Sequence, residues 1–66
     1  MIKVTMSVPT VGSVSDTFGS FESFKASLDN YLNQMHHVNT QNLSMDETLE
    51  EFELLTGNAV TIEYVN

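Results

Sequence analysis

The sequence predicts a small α+β domain in which two amphipathic helices pack on one face of a two- or three-stranded sheet. Apolar and polar residues alternate near both ends of the chain, which is the pattern of half-buried strands. Between them, two stretches carry apolar residues at helical spacing. A length of 66 residues leaves room for one core. We therefore expect a single acidic domain, residues 1–66.

The first strand is predicted over residues 2–8. Its apolar face comprises Ile2, Val4, Met6 and Val8. Pro9 has no backbone N–H to give to a sheet, so it should end this strand. Residues 10–20 are rich in Gly, Ser and Thr and predict a loop. A weak alternation at Val14, Asp16 and Phe18 leaves a short second strand open.

The first helix is predicted over residues 21–35, with Ser20 placed to cap its first turn. Its apolar stripe comprises Phe21, Phe24, Leu28, Tyr31, Leu32 and Met35. Residues 36–42 follow as a polar connector without a fold of their own.

The second helix, near residues 45–56, has the clearest boundaries in the chain. Ser44 and Glu47 have the spacing of a capping box, and Gly57 has the place of a left-handed helix cap. A last strand is expected over residues 59–65. The predicted core comprises Val4, Met6, Phe21, Phe24, Leu28, Leu49, Phe52, Val60 and Ile62.

The sequence offers little for catalysis, and we expect neither an enzyme nor a metal or cofactor site. It has no cysteine, no nucleophile turn of the G-x-S-x-G type and no phosphate-binding glycine loop. The two histidines, His36 and His37, are adjacent, so on a helix they would point about 100° apart and make poor joint ligands.

Charge is the strongest compositional signal. The chain has nine side-chain carboxylates and two lysines, Lys3 and Lys25, and no lysine or arginine follows residue 25. Such a field repels nucleic acid and anionic lipid and attracts basic surfaces. The expected partner is therefore a basic DNA-binding protein or enzyme, rather than nucleic acid or a membrane. The first residues lack a signal-peptide pattern, so we expect a cytoplasmic protein.

The second helix carries most of the candidate binding residues. Its carboxylates are Asp46, Glu47, Glu50, Glu51 and Glu53. Glu47 and Glu51 lie one turn apart, roughly 5–6 Å, a separation comparable with that of successive phosphates on a nucleic-acid strand. Leu54 falls on the same face as Glu47 and Glu50, which gives an apolar group a charged rim, as in protein interfaces. The alternative is an ordinary solvated helix face.

This helix also resembles a known family. The run Phe52-Glu53-Leu54-Leu55, continuing through Thr56 into Gly57-Asn58 and a strand, resembles the helix–Gly-Asn–strand segment of small phage-encoded uracil-DNA glycosylase inhibitors. The resemblance covers about residues 44–64. It implies a short acidic protein that occupies the enzyme's DNA-binding groove, in the host cytoplasm if the chain is phage-encoded. Some members use a Glu-Ser pair against the enzyme, which makes Glu22-Ser23 a further candidate, here inside a predicted helix.

Three functions remain open at this stage. The first is a non-enzymatic DNA mimic that inhibits a nucleic-acid-binding enzyme, with uracil-DNA glycosylase the leading candidate and a CRISPR or restriction nuclease next. The second is an acidic interaction module or small subunit that binds a non-nucleic-acid partner through an apolar helix face or a sheet edge. The third is a stand-alone structural or toxin–antitoxin-type protein. Without disulfides, a domain this small is also a candidate homodimer.

Overall fold

The computed structural model describes residues 1–65 and contains three strands and two helices. In chain order these are β1 Ile2–Val8, β2 Gly12–Phe18, α1 Phe21–His36, α2 Met45–Thr56 and β3 Ala59–Tyr64. The strands form one antiparallel sheet in the order β2-β1-β3. The predicted α+β class is confirmed, with α2 at its predicted bounds. Helix α1 ends one residue later than predicted, and β3 ends one residue earlier.

Strand β2 replaces most of the loop predicted over residues 10–20 and confirms the second strand that the weak alternation at Val14, Asp16 and Phe18 left open. It pairs with β1 along its whole length, with Met6 opposite Val14 and Val4 opposite Asp16. The turn between them is closed by the Val11 N–H, which donates to the Val8 carbonyl at 3.2 Å. Every residue of β2 before Phe18 is exposed. The backbone ladder therefore holds this polar edge strand, which explains why its side chains carry only a weak pattern.

The core lies between the inner face of the sheet and the two helices. Its buried hydrophobic residues are Ile2, Val4, Phe24, Leu28, Leu32 and Phe52. Four of the nine predicted core residues are among them, and the other five, Met6, Phe21, Leu49, Val60 and Ile62, are only partly buried and pack against this cluster. Leu32 was not in the predicted core, yet it is fully buried. Tyr31 and Met35, from the predicted stripe of α1, stay exposed, because the buried ridge of α1 is narrower than that stripe.

The connector between the helices is pinned to α1 by one polar cluster. Thr40 is fully buried, and its hydroxyl donates to Asp29 Oδ1 at 2.6 Å. Lys25 Nζ donates to both Asp29 carboxylate oxygens, at 3.1 and 3.2 Å, and to the Thr40 carbonyl at 3.0 Å. Lys25 is therefore used inside the fold, and one of the two basic side chains is withdrawn from the surface.

Helix α1 ends on a histidine in the left-handed conformation. His37 has φ 57°, and its N–H donates to the Asn33 carbonyl at 3.1 Å while the Val38 N–H reaches the Leu32 carbonyl at 3.2 Å. Glycine adopts this conformation without the steric cost that a side chain carries. We expect His37→Gly to raise the free energy of unfolding by about 0.5–1 kcal/mol, measured by thermal melting.

The neighbouring histidine provides the control. His36 is the last residue of α1, so His36→Gly should lower the free energy of unfolding by up to about 1 kcal/mol. Equal losses of stability in both variants would contradict a left-handed cap at residue 37.

Candidate functional site

Helix α2 presents a buried face and an opposite, charged face. The capping box sets its first turn: the Ser44 N–H donates to Glu47 Oε1 at 3.1 Å, and the Glu47 N–H donates to Ser44 Oγ at 3.2 Å. Thr48 and Phe52 are buried on the side that faces the core. The helical period then directs Glu50 and its neighbours away from the core.

We define the acidic face as the outward side of α2. Its members are Asp46, Glu47, Glu50, Glu51 and Leu54. All except Glu51, which is half-buried, are exposed, and Leu54 is 74% exposed. Towards the start of the helix from Leu54, a shallow depression of about 170 Å³ is lined by Leu43, Glu47, Glu50 and Glu51. The predicted combination of an apolar group and an acid rim is therefore present on one surface.

The carboxylate at the start of the acidic face is held in its charged form. Backbone and side-chain hydrogen bonds with Ser44 lower the pKa of Glu47 below its ordinary value of 4.5. Because the folded-state pKa is the lower one, this contribution to stability is complete above the ordinary value and is lost as the pH falls through the lowered value. At neutral pH Glu47 is an anion.

Within residues 1–65, no carboxylate of the acidic face forms a salt bridge. Across residues 1–65, Lys25 and Asp29 form the one salt bridge, which is part of the connector cluster. Lys3 lies on β1 opposite Thr17 and Glu63, on the sheet face that points away from the helices. The carboxylates of α2 therefore repel one another and favour a cation from outside.

Three candidates on α2 are placed differently from the sequence interpretation. The Glu53 carboxylate accepts the Val60 N–H at 2.8 Å, so it ties the end of α2 to the edge of β3. The sequence also suggests Phe52 or Met45 as a second apolar anchor beside Leu54, but Phe52 is only 3% exposed and belongs to the core. Met45, the other suggested anchor, is half-buried against the same core. Leu54 is left as the exposed apolar residue of this surface.

Glu22 and Ser23 lie on the first turn of α1, as the helix prediction required. The Ser23 N–H donates to Ser20 Oγ at 3.2 Å, and the Ser20 hydroxyl also donates to Ser23 Oγ. Both residues are exposed. The pair therefore lies on a different helix from the carboxylates of α2.

An apolar groove between β2 and α1 was missed by the sequence analysis. Its floor is formed by Val4, Met6, Val14 and Phe18, and its wall by Phe24, Leu28 and Tyr31. It has two adjoining parts, of about 320 and 260 Å³, which share Met6, Phe18 and Phe24. The groove exists because the helices leave the inner side of β2 partly uncovered, and Val14 is 55% exposed there. No local sequence signal reports such a gap, since it depends on how α1 lies across the sheet.

The described part of the chain offers no grouping for metal chemistry. Among residues 1–65, no three His, Asp or Glu side chains gather closely enough to hold a metal ion. Neither α1 nor α2 is long and apolar enough to cross a membrane. One polar cavity of about 290 Å³ lies between α1 and the connector; its lining residues are Ala26, Asp29, Asn30, Asn33, Asn39 and Gln41.

Comparison of the chain with protein-family models, with curated proteins and with solved structures found no match.

Proposed function

We propose that the chain is a non-enzymatic DNA mimic, which binds a basic nucleic-acid-binding enzyme through the acidic face of α2 and inhibits it. The observation that carries the proposal is the exposed Leu54 beside Glu47 and Glu50, on a surface without a cation of its own. The carboxylates would supply long-range attraction to a basic groove, and Leu54 would supply the short-range contact.

The spacing of the carboxylates supports mimicry over a simple solvated face. Successive turns of α2 place acidic groups at regular intervals, and the capping box sets the residue at which the helix begins. An ordinary solvated helix usually intersperses lysines, because Glu–Lys pairs one turn apart stabilise it. Helix α2 contains none, so the repulsion between Asp46 and Glu50 and between Glu47 and Glu51 is not offset by such pairs, which suggests selection for another purpose.

Uracil-DNA glycosylase is the leading target, and a CRISPR or restriction nuclease is next. The first choice rests on the resemblance of residues 44–64 to the phage-encoded inhibitors. The second rests on charge alone, because any enzyme with a basic DNA groove presents a complementary surface.

The proposal is tested by asking whether the target can hold DNA and this protein together. A fluorescent duplex bound to uracil-DNA glycosylase should be released as the protein is added, and the protein's affinity should fall steeply as salt is raised. A ternary complex of enzyme, duplex and protein would contradict mimicry of the duplex. Binding that salt leaves unchanged would instead favour the apolar interaction module.

A further inference from the structure

In the part of the chain that the structure describes, β2 is an edge strand, and the backbone groups on its outer side have no partner strand. The Val65 N–H donates to the Met1 carbonyl at 3.1 Å, so the odd-numbered residues of β1 point their backbone N–H and C=O groups towards β3. Because backbone groups alternate along an antiparallel strand, the even-numbered residues of β1 face β2. Their partners, Val14 and Asp16 among them, point their N–H and C=O groups inward. Ser13, Ser15 and Thr17 therefore point theirs outward.

One of these three donors is already used. Asp16 Oδ1 accepts the Thr17 N–H at 2.8 Å, which closes that end of the edge. Ser13 and Ser15 remain, and both are exposed. A chain segment laid antiparallel against them would form hydrogen bonds at both positions, as in recognition by strand addition.

The apolar groove lies directly beside this open edge. A strand added there would direct alternate side chains to the inner face of the sheet, next to Val14, Asp16 and Phe18 in turn. Val14 and Phe18 line the groove with apolar surface, and Tyr31, 41% exposed, forms its far wall. Asp16 is the charged residue among those that line it. The inward side chains of β2 that an added strand would meet are therefore apolar at Val14, acidic at Asp16 and apolar at Phe18.

We propose that an extended segment of a protein partner adds to β2 as a fourth, antiparallel strand. Its inward side chains are apolar, basic and apolar at alternate positions, which complements Val14, Asp16 and Phe18. A second copy of this chain is the less suitable occupant, because each chain has a net charge of −7 and β2 has no basic residue. This inference does not rest on the acidic face of α2, since β2 and α2 lie towards opposite edges of the sheet.

A defined peptide tests the proposal. The probe is a capped seven-residue peptide with valine at its second and sixth positions, lysine at its fourth and threonine elsewhere. At physiological salt it should bind at least about tenfold more tightly than a peptide of the same composition with the valines and lysine contiguous. The amide protons of Ser13 and Ser15 should become protected from exchange when it binds.

Backbone methylation of the peptide separates strand addition from nonspecific attraction. N-methylation at the third and fifth residues removes the donors that face β2 and should weaken binding about tenfold or more. N-methylation at the fourth residue blocks a donor that faces solvent and should have little effect. On the protein, Ser15→Pro should weaken binding while the edge strand still forms, and Leu54→Ala should leave the affinity unchanged.

Three results would overturn the proposal. In the first, the alternating and contiguous peptides bind with equal affinity. In the second, N-methylation at the third and fifth residues changes the affinity no more than N-methylation at the fourth. In the third, the amide protons that become protected from exchange lie on α2 instead of β2. Failure of the acidic-face proposal would appear separately, as absence of competition with DNA.

Discussion

Replacing Phe52 with alanine should lower the free energy of unfolding by about 3–5 kcal/mol. The side chain is 3% exposed, belongs to the cluster that joins α1, α2 and the sheet, and contacts the Tyr31 ring at 5.9 Å between centroids. At roughly 0.05–0.15 kcal/mol per residue, a domain of 66 residues has only about 3–10 kcal/mol of stability in total, so the variant should be close to unfolding.

Denaturant unfolding of the variant and of Leu54→Ala measures this effect. Leu54 is two residues away on the same helix but 74% exposed, so its truncation should change stability by no more than about 0.5 kcal/mol. If Phe52→Ala melted within a few degrees of the parent, Phe52 would lie outside the core, and α2 would have to be rotated from the orientation described.

The largest effect on binding is expected from replacing Glu47, Glu50 and Glu51 with glutamine together. Glutamine keeps the size and helix propensity of glutamate, and it can still close the capping box at residue 47, so the fold should survive. Association with the target should slow by about tenfold or more at low salt, and its salt dependence should become flatter. Stopped-flow association rates at several salt concentrations measure both quantities.

Two further variants separate the effect of charge on association from the effect of the apolar contact on dissociation. Leu54→Ala should leave the association rate nearly unchanged and speed dissociation, by about tenfold if Leu54 is an anchor worth over 1 kcal/mol. Glu63→Gln removes an exposed carboxylate from β3, away from α2, and should have little effect on either rate. Association that is unaffected by the triple glutamine variant would remove the acidic face from the interface.

The elements with strong local signals were predictable from the sequence. Strict alternation located β1 and β3, and the pairing of Ser44 with Glu47 together with Gly57 fixed both ends of α2. Strand β2 could not be located in this way. It is an exposed edge strand, and pairing with β1, rather than an apolar pattern of its own, holds it in the sheet.

In the candidate site, too, local sequence patterns predicted some features and packing between elements determined the others. Helical spacing alone placed Leu54 beside Glu47 and Glu50. The engagement of Glu53 by the Val60 N–H depends on where β3 begins relative to α2, and the groove depends on how α1 crosses the sheet. Both features depend on how consecutive elements pack against each other in three dimensions, and neither leaves a periodic signal in the sequence.

Inhibition of uracil release tests whether the acidic face mimics DNA. The protein is titrated into a uracil-DNA glycosylase assay at several concentrations of uracil-containing duplex, beside the triple glutamine variant. We expect the protein to inhibit uracil release, more DNA to relieve the inhibition, and the triple variant largely to lose it. Full uracil release at micromolar protein would exclude this target, and intact binding of the triple variant to the true partner would contradict mimicry itself.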